Sequence, residues 1–304
     1  MSGSPVDVAI VVVSYNSADT LKDCLDSLLQ YRPRRHSSRI LVVDNASQDG
    51  SADLVRQGYA GVELIASSEN VGFGCANNLA MDRQPARYYY LHNADAYLQD
   101  NVLDPALDYL DANPETGVAG LPLVFPDHSP QTAAYAFSTP LKWLLQAIGL
   151  DRVVKPVLRS RFFGHLAKPL SRLPLARTFL DTHLGTQDQD AASKEVDWVC
   201  GAAMIMRHEV KNALGGFDPR IFLYGEDEDL CIEAAKKGWR IEQIRCAPVI
   251  HDFGWGKSGR TSPTVARLKQ QSLRYFIDKH FPRWRPSWLA MRILLWLKGL
   301  TWNV

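Results

Sequence analysis

The sequence predicts an α/β fold built on a mainly parallel central sheet, and two observations carry that expectation. Short, almost wholly apolar runs recur along the first 121 residues with helical patterns between them, as in a parallel sheet covered on both faces. Polar clusters also stand at the C-terminal end of run after run, the edge at which such sheets bind ligands.

The strands are expected at 8–14, 39–44, 62–66, 87–92 and 117–121, with helices at about 18–30, 49–57, 73–83 and 101–112. From 126 to 193 prolines at 126, 130, 140, 156, 169 and 174 punctuate short Leu-, Arg- and Phe-rich stretches, which reads as a helical insertion. Sheet signal returns over 195–207. A helix at 226–238, strands near 240–244 and 247–250, and a helical tail from 263 follow. The expected organisation is one α/β domain over 1–258, carrying the insertion 126–193, and a C-terminal helical tail over 259–304.

Bulk properties exclude several classes. The 304 residues are 46% hydrophobic and 22% charged, ordinary for a globular protein. A net charge of +1 offers no basic field for nucleic acid. Five scattered cysteines with no Cys-x-x-Cys pair read as reduced thiols in a cytoplasmic compartment. The apolar run 8–13 is too short for a signal-peptide core. No stretch reaches the roughly 20 apolar residues of a membrane span.

Four segments carry chemistry. Asn93-Ala94-Asp95 ends a strand, where a carboxylate can hold Mg²⁺ or Mn²⁺ beside substrate phosphates, although Asn-x-Asp also serves as a helix cap. Glu226, Asp227, Glu228 and Asp229 form an unbroken acidic run after Phe222, Tyr224 and Gly225. Such a run is either a solvated helix start favoured by the helix dipole or a packed turn offering a general base. His251 follows a strand and precedes a Gly- and Lys-containing loop; it suits a metal or a proton, or simple packing. Finally, 70-NVGFGCANN-78 places glycines before a helix, which permits close backbone approach to an anion, yet it matches neither a Walker A loop nor Gly-x-Gly-x-x-Gly.

In order and spacing, the blocks 10-IVVVSYNSADTLKDCLDSLL-29, 42-VVDNASQDGS-51, 69-ENVGFGCANN-78, 91-LHNADAYL-98, 196-VDWVCGAAMIMR-207, 215-GGFDPRIFLYGEDEDLC-231 and His251 resemble glycosyltransferase family 2, of A-type fold. The likeness is greatest to the rhamnosyltransferase-like branch of bacterial surface-polysaccharide synthesis. The resemblance implies that Ser14, Tyr15, Asn16, Asp44, Asn70, Gly72 and Asn93 line the site of a nucleotide-diphosphate sugar, with Asp44 on the base. It implies Asp95 and His251 as ligands of Mg²⁺ or Mn²⁺, Asp227 as catalytic base, and Trp198 and Glu226 on the acceptor side.

The sequence departs from the family pattern in having one carboxylate at 93–95, and it lacks the Gln-x-x-Arg-Trp signature of processive synthases. An inverting, non-processive hexosyltransferase using a dTDP- or UDP-sugar on a glycan or lipid-linked glycan is the expectation. A catalytically lapsed sugar-nucleotide-binding scaffold is one alternative. A nucleotidyltransferase is another, but it should carry a Gly- and Lys-rich signature where 14-SYNSADT-20 stands. The tail 281–302 holds four of the eight tryptophans among Arg283, Arg285, Arg292 and Lys298. It suits either peripheral contact with the inner face of the cytoplasmic membrane or packing within the protein.

Overall fold

The computed structural model describes residues 5–147, 193–252 and 263–302. Most of the expected insertion (148–192) and the glycine loop 253–258 therefore lie outside the described residues. The chain divides into two compact units: residues 1–134 with 192–260, and residues 135–191 with 261–304.

In the first unit the expected alternation is present. It runs β1 (Val6–Ser14), α1 (Ala18–Gln30), β2 (Ser38–Asp44), α2 (Ser51–Gly58), β3 (Val62–Ala66), α3 (Phe73–Arg83), β4 (Ala86–Asn93), β5 (Ala96–Tyr97), α4 (Leu103–Ala112) and β6 (Thr116–Gly120). The short strands β7 (Leu123–Val124), β8 (Pro130–Gln131) and β9 (Ala134–Tyr135) follow, before α5 (Pro140–Ala147) of the second unit. The sheet signal at 195–207 resolves into three strands, β10 (Ser193–Glu195), β11 (Trp198–Val199) and β12 (Ala203–Arg207). The tight segment Cys200–Ala202 interrupts it. Then come α6 (His208–Leu214), α7 (Glu226–Lys236), β13 (Arg240–Ile244) and β14 (Val249–His251).

The main sheet has the order β10-β13-β6-β12-β4-β1-β2-β3. β4, β1, β2 and β3 are parallel neighbours, as the apolar runs predict. The centre is not parallel throughout: β12 enters between β4 and β6, antiparallel to both. A second sheet, β5-β14-β7-β8, stands beyond the C-terminal end of β4. Fully buried side chains from strands and helices form the core, among them Ile10, Val12, Leu25, Ile40, Val42, Tyr90 and Leu107. In register, Ser14 lies opposite Asp44 and Val13 opposite Asn93, so three strands end together with their polar residues.

The second unit contains α5, α8 (Pro263–His280) and α9 (Pro286–Trp302). Trp143 of α5, Ile277 of α8 and Met291, Leu294 and Leu295 of α9 make its small core. Among the described residues no helix is long and apolar enough to cross a membrane.

Candidate active site

At the ends of β1 and β2 the backbone is tied down by side chains. Asp44 accepts the Ser47 N–H at 3.0 Å on one oxygen, and Asn45 donates its backbone N–H to Ser14 O at 2.8 Å. The Asn45 carboxamide then reaches Asn70 Oδ1 at 2.8 Å and accepts the Val71 N–H at 2.9 Å, fixing the loop before α3. Asn70 Oδ1 also accepts the Gly72 N–H at 3.0 Å. Two atoms in this cluster, Ser14 Oγ and Asp44 Oδ1, are buried without a hydrogen-bond partner. Buried polar atoms of that kind cost free energy until something supplies a partner. Asn16, at φ 51°, accepts the Gln48 N–H at 2.8 Å, while Tyr15 is exposed beside it.

Gly72 has φ 86°, and a Cβ there would come within 2.5 Å of Phe222 O. The close approach it permits is thus to the protein's own backbone, with Phe73 N–H donating to that same carbonyl at 3.2 Å. Sequence reasoning read the glycine as making room for an anion; the packing of 222 against α3 is what requires it.

The second cluster surrounds the turn between β4 and β5. His92 is buried, with Nδ1 at 2.8 Å from Tyr90 OH and Nε2 at 3.0 Å from Ala96 O, and burial pulls its pKa down to about 4. It is therefore a neutral brace for the turn 93–95. The Asn93 N–H donates to Ala202 O at 3.1 Å. β14 lies antiparallel to β5 with His251 opposite Ala96, and Asp252 N–H donates to Asp95 O at 2.9 Å. This brings His251 Nε2 to 3.2 Å from Asp95 Oδ1 and 3.3 Å from Asn93 Nδ2. His251 is buried, and Asp95 keeps part of its side chain open.

On its other side the imidazole places Nδ1 3.0 Å from Gln131 Oε1. An amide oxygen only accepts, so Nδ1 carries a hydrogen, and when the ring is neutral the Nε2 lone pair faces Asp95 Oδ1 and Asn93 Nδ2. That lone pair is repelled by the carboxylate and meets a donor in the Asn93 amide. Donor atoms about 3 Å apart are, however, what one small hard cation with ligands at about 2.1 Å requires. The residues present fit a divalent ion.

The third cluster is the first turn of α7. Tyr224 and Gly225 both take left-handed backbone, φ 68° and 98°, and swing the acidic run inward. Glu226, Glu228 and Asp229 are buried, so the run is a packed turn and not a solvated cap. Asp227 Oδ1 accepts the Glu228 N–H at 2.9 Å and Oδ2 the Gly201 N–H at 3.3 Å, while part of its surface stays open. Burial raises the pKa of Asp227 against these two backbone donors. Burial raises that of Glu226 as well, and the neighbouring Asp227 charge adds to it. Glu226 Oε2 has no hydrogen-bond partner.

The segment Cys200–Ala202 joins the second and third clusters. Gly201 holds Asp227, Ala202 holds Asn93, and the charges of Asp227, Glu226 and Asp95 all act on the Cys200 thiol, which burial pushes up to about 12. Half-buried Trp198 sits on β11, which packs against α7. The structure therefore gathers Asn93, Asp95, His251, Asp227, Glu226 and Trp198 around one segment, and Ser14, Asp44, Asn70 and Gly72 around the neighbouring strand ends. Asn45 is a structural partner that the sequence showed only as part of a strand-end polar pair, and Gln131 is one that it did not single out. The first lay inside the block 42–51, and the second carried no local signal.

A mixed sheet with a polar edge at its strand ends, a strand-end carboxylate and a helix-start acid belongs to the A-type glycosyltransferase fold. The mannosyltransferase PcManGT of Pyrobaculum calidifontis, solved with GDP-Man and Mn²⁺, shares this fold: TM-score 0.53 at 16% identity, covering 97% of this chain and 70% of its own. The model of glycosyl transferase family 2 matches residues 9–157 of the chain. Over 91% of its length it is 24% identical to the N-acetylglucosaminyl-diphospho-decaprenol L-rhamnosyltransferase of Mycobacterium tuberculosis, 86% of which is covered. It is 27% identical to rhamnosyltransferase WbbL of Escherichia coli, covering 80% of this chain and 83% of that protein.

Proposed function

We propose that the chain is an inverting, metal-dependent, non-processive glycosyltransferase that moves a hexose, rhamnose by similarity, from a dTDP- or UDP-sugar to a hydroxyl of a glycan or lipid-linked glycan. The observation that carries the reading is Asp227: a half-open carboxylate of raised proton affinity, held by two backbone N–H groups next to the Asp95–His251 pair.

Asp95 and His251 would hold Mg²⁺ or Mn²⁺, which supplies charge neutralisation for the departing nucleotide diphosphate. Asp44 and Ser14, each with an unpartnered buried oxygen, would receive donors from the nucleotide, alongside Tyr15, Asn16, Asn70, Gly72 and Asn93. Asp227 takes the proton of the acceptor hydroxyl as that oxygen bonds to the anomeric carbon. The carbon–oxygen bond to the diphosphate breaks with its electron pair, and one displacement inverts the anomeric configuration. Trp198 and Glu226 line the acceptor side.

The deciding experiment measures transfer from dTDP- and UDP-sugars with and without Mn²⁺, for wild type and Asp95→Ala. Asp95→Ala should abolish transfer and the metal dependence of donor binding. Wild-type turnover in EDTA would sink the metal role.

For the second unit we propose peripheral contact with the inner face of the cytoplasmic membrane. One face of α9 is buried (Met291, Leu294, Leu295), while Leu289, Ile293, Trp296 and Leu297 are exposed on the other. These positions recur at i, i+4, i+7 and i+8, one stripe of a helix. Trp284 just ahead is 78% exposed with Arg285 over its ring. Residues 281–304 contain no acid and four basic residues, which selects an anionic lipid surface as the occupant.

A further inference from the structure

The hairpin after β7 turns at 125-FPDHS-129. His128 N–H donates to Phe125 O at 2.8 Å, Phe125 N–H to Ser129 O at 2.9 Å, and Asp127 Oδ1 accepts the Ser129 N–H at 2.9 Å. This turn returns the chain as β8, antiparallel to β7, with Gln131 opposite Leu123. Leu123 is in turn the register partner of Val249 on β14. Side chains two residues apart on a strand share a face, so Val249 and His251 point the same way. Gln131 therefore stands in the row beside β14, one strand removed, and only a long side chain crosses β7 to reach the imidazole. Its Oε1 ends 3.0 Å from His251 Nδ1.

We propose that Gln131 is a positioning residue of the cation site: by accepting the His251 Nδ1 hydrogen it holds the imidazole in the tautomer and orientation that aim Nε2 at Asp95. The inference rests on the cation reading given above. A histidine ligand whose second nitrogen is anchored is restricted in both ring rotation and tautomer. Loss of such an anchor typically weakens metal affinity about 10–100-fold. Gln131 supplies an oxygen and no charge.

The test titrates Mn²⁺ alone into the full-length, metal-free protein and follows free Mn²⁺ by electron paramagnetic resonance, for wild type, His251→Ala, Gln131→Leu and Gln131→Glu. Melting temperatures in EDTA show that each variant is folded. Gln131→Leu, similar in size but without an acceptor, should weaken binding about 10–100-fold. Gln131→Glu restores the acceptor oxygen and should bind at least as tightly as wild type. If His251→Ala abolishes binding while Gln131→Leu stays within about twofold of wild type, the positioning role is wrong and the cation reading stands. Equal weakening in the Leu and Glu variants also overturns it, because shape and not the acceptor would then matter. Wild type that binds no Mn²⁺, or His251→Ala that binds normally, removes the cation reading and this inference together.

Discussion

Asp227 combines two opposed influences: burial that favours its protonated form and two backbone N–H groups that favour the carboxylate. A base placed this way is poised nearer to neutral pH than an exposed aspartate, where general-base catalysis is most effective. Asp227→Asn keeps the size and most of the hydrogen bonding but cannot take a proton. It should lower kcat by at least about 10²-fold, with donor Kd close to wild type, because the proposed base would act on the acceptor. Turnover within about tenfold of wild type would mean that another group is the base. Residues of this kind were legible in the sequence because their chemistry is local. A carboxylate at a strand end, a histidine after a strand and an acidic run behind an aromatic–glycine turn each occupy a few adjacent positions. Gln131 was not legible, and of Asn45 only its place at a strand end was, since each acts by crossing to a different strand or loop that only the fold brings near.

At the scale of elements, the first turn of α7 is under electrostatic load. Glu226 is buried beside Asp227, and its pKa in the folded protein lies above its ordinary value. A carboxyl with a raised folded pKa costs nothing below the unfolded value, where it is protonated in both states. As pH rises from the ordinary carboxylate range towards the folded value, the unfolded chain releases its proton first and stability falls. Glu226→Gln removes that load. The variant should melt at about the wild-type temperature at pH 4 and above it at pH 8; a melting difference that does not change with pH would refute the account.

Beside the edge strand β10 the sheet carries a satisfied carboxylate. Glu242 of β13 accepts from Tyr109 OH at 3.0 Å, Ser193 Oγ at 3.1 Å and the Thr116 hydroxyl, tying α4, β10 and β6 together. Glu242→Leu strands those hydroxyls and should cost roughly 1–3 kcal/mol in urea unfolding. An unchanged midpoint would show that the network is dispensable. Neither feature could be read from periodicity. The parallel half of the sheet was legible because β1 to β4 are continuous apolar runs, whereas the antiparallel insertion of β12 is set by the Cys200–Ala202 segment, whose bonds to Asp227 and Asn93 are tertiary.

For the molecule as a whole, the question left by composition was whether the tryptophan- and arginine-rich tail packs or meets a bilayer, and α9 has both a buried face and an exposed apolar one. Deleting 283–304 would remove Met291, Leu294 and Leu295 from the core they form with Trp143 and Ile277, so a truncated protein that fails to bind could simply be misfolded. Substitution of the exposed face separates the two. Leu289→Ser with Trp296→Ser touches side chains 56% and 60% exposed and should leave the melting temperature nearly unchanged. The same pair should release the protein from sedimenting vesicles of phosphatidylcholine and phosphatidylglycerol. Arg283→Gln with Arg285→Gln should weaken binding to these vesicles, by about 1 kcal/mol per residue at low salt, and leave the already weak binding to pure phosphatidylcholine unaffected. A buried change, Met291→Ala, should do the reverse, lowering the melting temperature by opening a cavity while vesicle binding by the folded fraction persists. If the Leu289/Trp296 variant still sediments like wild type, the exposed stripe is not the membrane contact. If instead it converts a dimer to a monomer, the stripe is an interface between two copies of the chain.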